Sequence, residues 1–99
     1  MLCLLNDAFQ QVKSWLMSSG LFISEKNDKN CGGVFSFFDE QNKEFSFLYP
    51  EITGYFISAL KFLNHVENDE KYLQHAKYSC DWLIQIYEKY GSIIQGIKL

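Results

Sequence analysis

The sequence lacks any apolar run near the roughly 18 residues that a membrane-spanning helix needs, so no bilayer crossing is expected. It also lacks a basic cluster. Nine basic residues stand against twelve acidic ones, for a net charge of −3, which excludes electrostatic capture of nucleic acid as a leading role. Cysteine is sparse: Cys3, Cys31 and Cys80 are odd in number and widely spaced. That pattern excludes a disulfide framework and a CxxC metal knuckle, and points to a reduced, cytoplasmic setting. Gly32 and Gly33 lack the G-x-G-x-x-G spacing of a phosphate-binding turn. The opening "MLCLLNDAF" has neither the basic n-region nor the long h-region of a signal peptide. Proline occurs once, at Pro50, which makes that position informative.

What is plentiful is aromatic. Nine Phe, six Tyr and two Trp make up 17% of 99 residues, and 47% of the chain is hydrophobic. So apolar a chain is not disordered. A domain this short buries only about two-thirds of its unfolded surface. Some aromatics are therefore expected to face a ligand, a partner or further chain.

The first helix is expected at 7–19. Asn6 or Asp7 can cap it, Phe9, Val12 and Leu16 recur at helical spacing beside Trp15, and Gly20 stops it. The polar stretch "SEKNDKNCGG" reads as a loop. A β-hairpin is expected at 34–49, because "GVFSFFD" and "EFSFLY" alternate in aromatic residues around the connection "EQNK". Phe35 and Phe37 then share a face, as do Phe45, Phe47 and Tyr49. A lone hairpin is marginal in water, so this one must lean on helices.

Tyr49, before proline, is pushed to extended geometry, and Pro50 suits a first helical position. An inner helix is expected at 50–67. Its wide stripe of Ile52, Tyr55, Phe56, Ala59, Leu60, Phe62, Leu63 and Val66 implies a mostly buried element. An outer helix is expected at 70–90, capped by Asn68 or Asp69 and stopped by Gly91. Its predicted apolar face is Tyr72, Leu73, Ala76, Cys80, Leu83, Ile86, Tyr87 and Tyr90. A connector, 91–99, follows. The fold class is mainly α: antiparallel α-helical hairpins with one inserted β-hairpin, in a single partial domain.

The stretch "GGVFSFFDEQNKEFSFLYPEITGYFISALKFL" with "YLQHAKYSCDWLIQIYEKYGSI" resembles the six-hairpin (α/α)6 toroid proteins. These include glycosidase-like enzymes, N-acylglucosamine 2-epimerases and uronyl C5-epimerases. The likeness runs from about Gly32 to Gly96. It is carried by the glycine–aromatic hairpin, the "YPEITGY" helix start and the "A…DWL" outer helix ending in Tyr-Gly. The resemblance implies an incomplete toroid, the N-terminal part of a hydrolase or epimerase acting on a sugar or polysaccharide without a cofactor. It places the saccharide site where the hairpin, the Glu51 helix start and the connector meet. The remainder of the toroid, or self-association through apolar surface, would cover the exposed inner helix.

The substrate-binding candidates are Glu51, Tyr49, Tyr55, Thr53 and Asp39; no catalytic set can be named. A glutamate in a first helical turn complements the macrodipole by about 0.3–1 kcal/mol. It can also accept a hydrogen bond from a sugar hydroxyl or move a proton. Glycoside hydrolysis needs a second carboxylate roughly 5–9.5 Å away. Asp39 is the nearest candidate that can be named, although an aspartate at a hairpin turn usually bonds its own backbone. Tyr49 and Tyr55 can stack on sugar faces or serve as core-edge residues, and Thr53 can reach the site or bond locally. Gly54, inside a helix, implies a close approach or room for a ligand. His65, His75 and Cys31 lack partners at ligand or base spacing, so packing or solvated roles are expected and no metal site. Trp82 reads as packing. The rival function is a non-catalytic helical interaction module that oligomerises through the apolar face of the second helix.

Overall fold

The computed structural model describes residues 2–92 and 96–97, with side chains from residue 6 onward. The architecture is mainly helical with one small antiparallel hairpin. The order is α1 (Leu2–Ser18), β1 (Phe38–Asp39), β2 (Glu44–Phe45), α2 (Pro50–Glu67) and α3 (Glu70–Tyr90). Helix α1 starts at Leu2 rather than near Asp7, because nothing between them breaks a helix. The chain leaves α1 through Gly20 at φ +85°, a left-handed conformation that glycine adopts without steric cost.

Tyr49 is extended at φ −124°, ψ 109°, and Pro50 opens α2. Asn68 ends α2 in the left-handed region at φ 51°, and Asp69 caps α3 by accepting from Lys71 N at 3.0 Å. With only these two residues between them, α3 folds back antiparallel on α2. Gly91 closes α3 at φ 73°.

The hairpin ladder is shorter than 34–49. Its regular part pairs Phe38 with Phe45 and Asp39 with Glu44. The same register reappears as a bridge between Phe35 and Leu48. The hairpin's base is supported by chain on both sides. Ile23 N donates to Gly33 O at 2.9 Å, and Phe35 N donates to Leu21 O at 2.9 Å. Across the other edge Leu48 and Ile97 exchange both backbone bonds at 2.9 Å. Ile97 of the expected connector is therefore part of the sheet-like base, while 93–95 and 98–99 lie outside the described residues.

Two core clusters result. Phe22, Val34, Phe56, Leu60, Leu63 and Tyr72 form one; Leu48, Trp82 and Ile86 form the other. Helix α2 is less buried than its stripe implied. Pro50, Thr53, Phe56, Leu60 and Leu63 are buried, whereas Tyr55, Phe62 and Val66 are exposed. Its apolar surface exceeds what α1 and α3 cover.

The buried face of α3 is also corrected. It carries Tyr72, Ser79, Trp82 and Ile86, while Leu73, Cys80, Tyr87 and Tyr90 are exposed. Hydrogen bonding set this face. Ser79 Oγ donates to Gly32 O at 2.8 Å, and Trp82 Nε1 donates to Asn30 Oδ1 at 3.1 Å. Loop 24–33 therefore docks on α3 through polar groups that must be paired once buried. Gly32 permits the approach: a Cβ there would sit 2.1 Å from Tyr78 O, with φ at +97°.

Helix α1 packs through Phe9, Leu16 and Met17. An ion pair from Lys13 Nζ to Glu67 Oε2 at 2.6 Å adds to this. Tyr72 Oη donates to the other oxygen of Glu67 at 2.5 Å, so one carboxylate joins all three helices. Among the described residues no helix is long and apolar enough to cross a membrane.

Candidate functional site

Pro50 puts Glu51 in the first turn of α2, and the extended Tyr49 projects just ahead of it. Tyr55 follows one turn on. The three side chains converge. Tyr49 Oη donates to Glu51 Oε2 at 3.2 Å, and Tyr55 Oη approaches Glu51 Oε1 at 3.5 Å. Glu51 and Tyr55 are exposed and Tyr49 is half-buried. The tyrosine bonds are long, so Glu51 remains able to accept from another hydroxyl. The adjacent carboxylate raises the Tyr49 phenol above its ordinary range, chiefly through their hydrogen bond. Tyr49 is thereby held as a neutral donor.

Tyr49 continues into the hairpin. Its ring lies 5.7 Å from that of Phe47, which meets Phe37 edge-on at 6.2 Å. Phe47 and Phe37 line an open cleft of about 610 Å³ together with Phe35, Phe45, Asp39, Asn42, Glu44 and Ser46. Phe35 and Phe45 stack at 4.9 Å on the cleft wall. An aromatic ribbon thus runs from Tyr55 past the Glu51 carboxylate to the hairpin cleft. Flat rings beside acceptor oxygens suit a ligand with one apolar face and several hydroxyls.

The other candidates have different employment. Thr53 is fully buried. Its Oγ1 donates to Tyr49 O at 2.8 Å and accepts from Val34 N at 3.1 Å. It ties the helix start to the hairpin base and so positions Tyr49 and Glu51 without reaching the surface. Asp39 lines the cleft, but its oxygens serve its own turn. Oδ1 accepts from Gln41 N at 2.9 Å and Asn42 N at 3.2 Å, and Oδ2 accepts from Asn42 Nδ2 at 2.9 Å. The Asn42 bonds above all hold this carboxyl below the usual carboxylate range, which suits a turn anchor rather than a general acid.

Gly54 faces open space, with nothing within 4 Å of a Cβ built there. Among the described residues it therefore serves no close approach. Burial and the charges of Asp28 and Glu25 push the Cys31 thiol up, away from nucleophilic character. His75 packs edge-on against Phe22 at 5.0 Å, and its buried Nδ1 has no hydrogen-bond partner among the described residues. Among the described residues no His, Cys, Asp and Glu side chains gather as a metal site.

The sequence reading missed Phe37, Phe47, Asn42, Glu44 and Ser46 as cleft-lining residues. Their one signal was the recurrence of phenylalanine in both runs around "EQNK". Compared with models of known protein families, with characterised proteins and with solved structures, the chain matches none.

Proposed function

We propose that this chain binds a saccharide along the ribbon formed by Tyr55, Glu51, Tyr49 and Phe47. In this reading it contributes the first helical pair of a glycosidase-like or epimerase-like (α/α) toroid protein that works in the cytoplasm. The observation that carries the proposal is the exposed Glu51 carboxylate, held between two tyrosine hydroxyls and continuous with a phenylalanine-lined cleft. Tyrosine and phenylalanine rings offer stacking planes for sugar C–H faces, and Glu51 accepts from ring hydroxyls. The arrangement favours binding over bond cleavage. Hydrolysis needs two available carboxyl groups, and Asp39 is committed to its turn. Asp39 therefore supplies no second carboxyl group to Glu51 in this reading. The antiparallel α2–α3 pair, with the hairpin at the α2 start, agrees with the toroid part of the reading.

The test is titration of isotopically labelled protein with cellohexaose, chitohexaose and maltohexaose, followed by NMR. Binding should move the signals of Tyr49, Glu51, Tyr55 and Phe47. Glu51→Gln should weaken it about tenfold, the 1.4 kcal/mol scale of one lost charge-assisted bond, and leave the melting temperature nearly unchanged. No shift at millimolar sugar, or shifts confined to other surfaces, would remove the proposal.

The second reading, a non-catalytic helical interaction module, is favoured by one observation. Tyr55, Phe62 and Val66 on α2 and Val12 and Trp15 on α1 are all exposed, more apolar side chain than a small surface usually leaves uncovered.

A further inference from the structure

The phenylalanine-lined cleft carries a charge that the fold leaves unbalanced. Asp39 and Glu44 are direct partners across the antiparallel ladder, and both line the cleft. Like charges directly opposite one another are unfavourable in a sheet. Asp39 is committed to its turn, and the bonds it accepts there keep it ionised. Glu44 is exposed, and the two ion pairs among the described residues, Lys13–Glu67 and Lys71–Asp69, leave it out. No lysine or histidine is among the described residues lining the cleft. Lys43, beside Glu44 in sequence, belongs to the turn, at φ 54°.

The neutral polar groups add to this bias. Asn42 Nδ2 donates to Asp39 Oδ2 at 2.9 Å, and Ser46 Oγ donates to Phe47 O at 3.4 Å. With these donors engaged, a ligand meets mainly acceptors, negative charge and phenyl rings. The face of a phenyl ring attracts an ammonium group through its quadrupole. The three features share one complement, an organic cation rich in hydrogen-bond donors. A sugar carboxylate would meet repulsion instead. A bare metal ion fits poorly, because no three ligating side chains gather among the described residues. Glu51, between the hydroxyls of Tyr49 and Tyr55, extends the negative charge along the ribbon and can accept from sugar hydroxyls, which a basic peptide lacks.

We propose that the ligand of this ribbon is an oligosaccharide of amino sugars with free, protonated amines, whose ammonium groups sit beside Glu44, Phe37 and Phe47. The proposal rests on the saccharide reading and gives that saccharide its charge. N-acylated sugars rank below it, and uronic acids last.

The test compares the hexamer of glucosamine with chitohexaose, the same chain with every amine acetylated, and with hexagalacturonate. Each is titrated into the isotopically labelled full chain and followed by NMR at about pH 6, where carboxylates are ionised and amines of the α-amino type carry a proton. The glucosamine hexamer should move the signals of Phe37, Glu44 and Phe47 and bind about tenfold tighter than chitohexaose, the scale of one charge-assisted bond. Hexagalacturonate should bind more weakly than either. Glu44→Gln should remove most of the preference and leave chitohexaose binding unchanged. It should not lower the melting temperature, since it relieves a cross-strand repulsion. Equal binding of the two hexamers at these residues would overturn this proposal and leave the saccharide reading standing. If no sugar moves the ribbon's signals, both fall. Pentalysine binding as tightly at the same residues would assign the cleft to basic peptides and overturn the amino sugar. So would a preference that Glu44→Gln leaves intact.

Discussion

The base of the hairpin and its tip are made from the same kinds of residue and end in opposite states. At the base, Val34, Leu48 and Thr53 are fully buried, and the polar groups there have partners within the chain. The bonds of Thr53, Ser79 and Trp82 bind this base to α2 and α3. At the tip, Phe37 and Phe38 are exposed, and the Phe37 N–H bonds to an exposed-side Ser46 hydroxyl at 3.0 Å. Hydrophobicity does not separate the two regions, since the tip is the more aromatic. What separates them is hydrogen-bond closure. Backbone can be sealed only where side chains or neighbouring segments pair its N–H and C=O groups. Beyond Phe35 and Leu48 the flanking segments stop, and the phenyl rings line a cleft.

The largest test of this contrast is Gly32→Ala at the base. The new methyl would meet the Tyr78 carbonyl at 2.1 Å in a left-handed backbone, and stability should fall by roughly 3 kcal/mol or more. A native-like denaturation midpoint would show that the loop is not sealed against α3. Next is Thr53→Val, which leaves the buried Val34 N–H unpaired and should lower stability by about 1–3 kcal/mol. Its partner experiment at the tip, Ser46→Ala, should stay within about 0.5 kcal/mol. Equal losses in urea titrations would abolish the distinction.

A pH-linked loss comes third. Burial first, and Lys71 second, hold the His75 imidazole below its ordinary value of 6.5. The folded state thus takes up a proton less readily than the unfolded one. Stability should be level above about pH 6.5 and should decline as pH falls below it, until the lower folded value is passed. Thermal melts at successive pH values should show this slope, and His75→Gln should flatten it. The smallest effect is a gain. At Gly54 a methyl group meets nothing within 4 Å, so Gly54→Ala should add up to about 1 kcal/mol through helix propensity. A loss instead would mean that the surface beside Glu51 is not open.

Much of the fold could be read from local signals. Pro50, Asp69 and Gly91 act within a few residues of themselves, and α2 and α3 begin and end at them. The start of α1 was not legible, because "LCLL" carries no stop and continues the helix. The buried face of α3 was hidden for another reason. Ser79 looks polar in any periodic pattern, and its partner Gly32 is 47 residues away in sequence. Asn30, the partner of Trp82, is 52 residues away. At the site, the meeting of Glu51 with Tyr49 and Tyr55 followed from proline geometry and a one-turn spacing. The enclosure of Thr53 did not, since it depends on where Val34 crosses the helix start. The cleft needed the hairpin's register and its coiling, neither of which is written in one strand alone.

The Glu67 junction bears on how the molecule opens. A carboxylate at the C-terminal end of α2 faces the negative pole of its own helix, and Lys13 and Tyr72 lower its pKa despite that. Tyr72, fully buried, has its phenol pushed up to about 12 by burial and by the same carboxylate. The Tyr72 contact lies within the α2–α3 pair, whereas the Lys13 contact holds α1. Salt weakens an ion pair of this exposure and leaves the neutral tyrosine bond nearly untouched. The amide hydrogens of α1 should therefore exchange through a partial opening of their own, faster as ionic strength rises, while those of α2 and α3 wait for the whole fold to open.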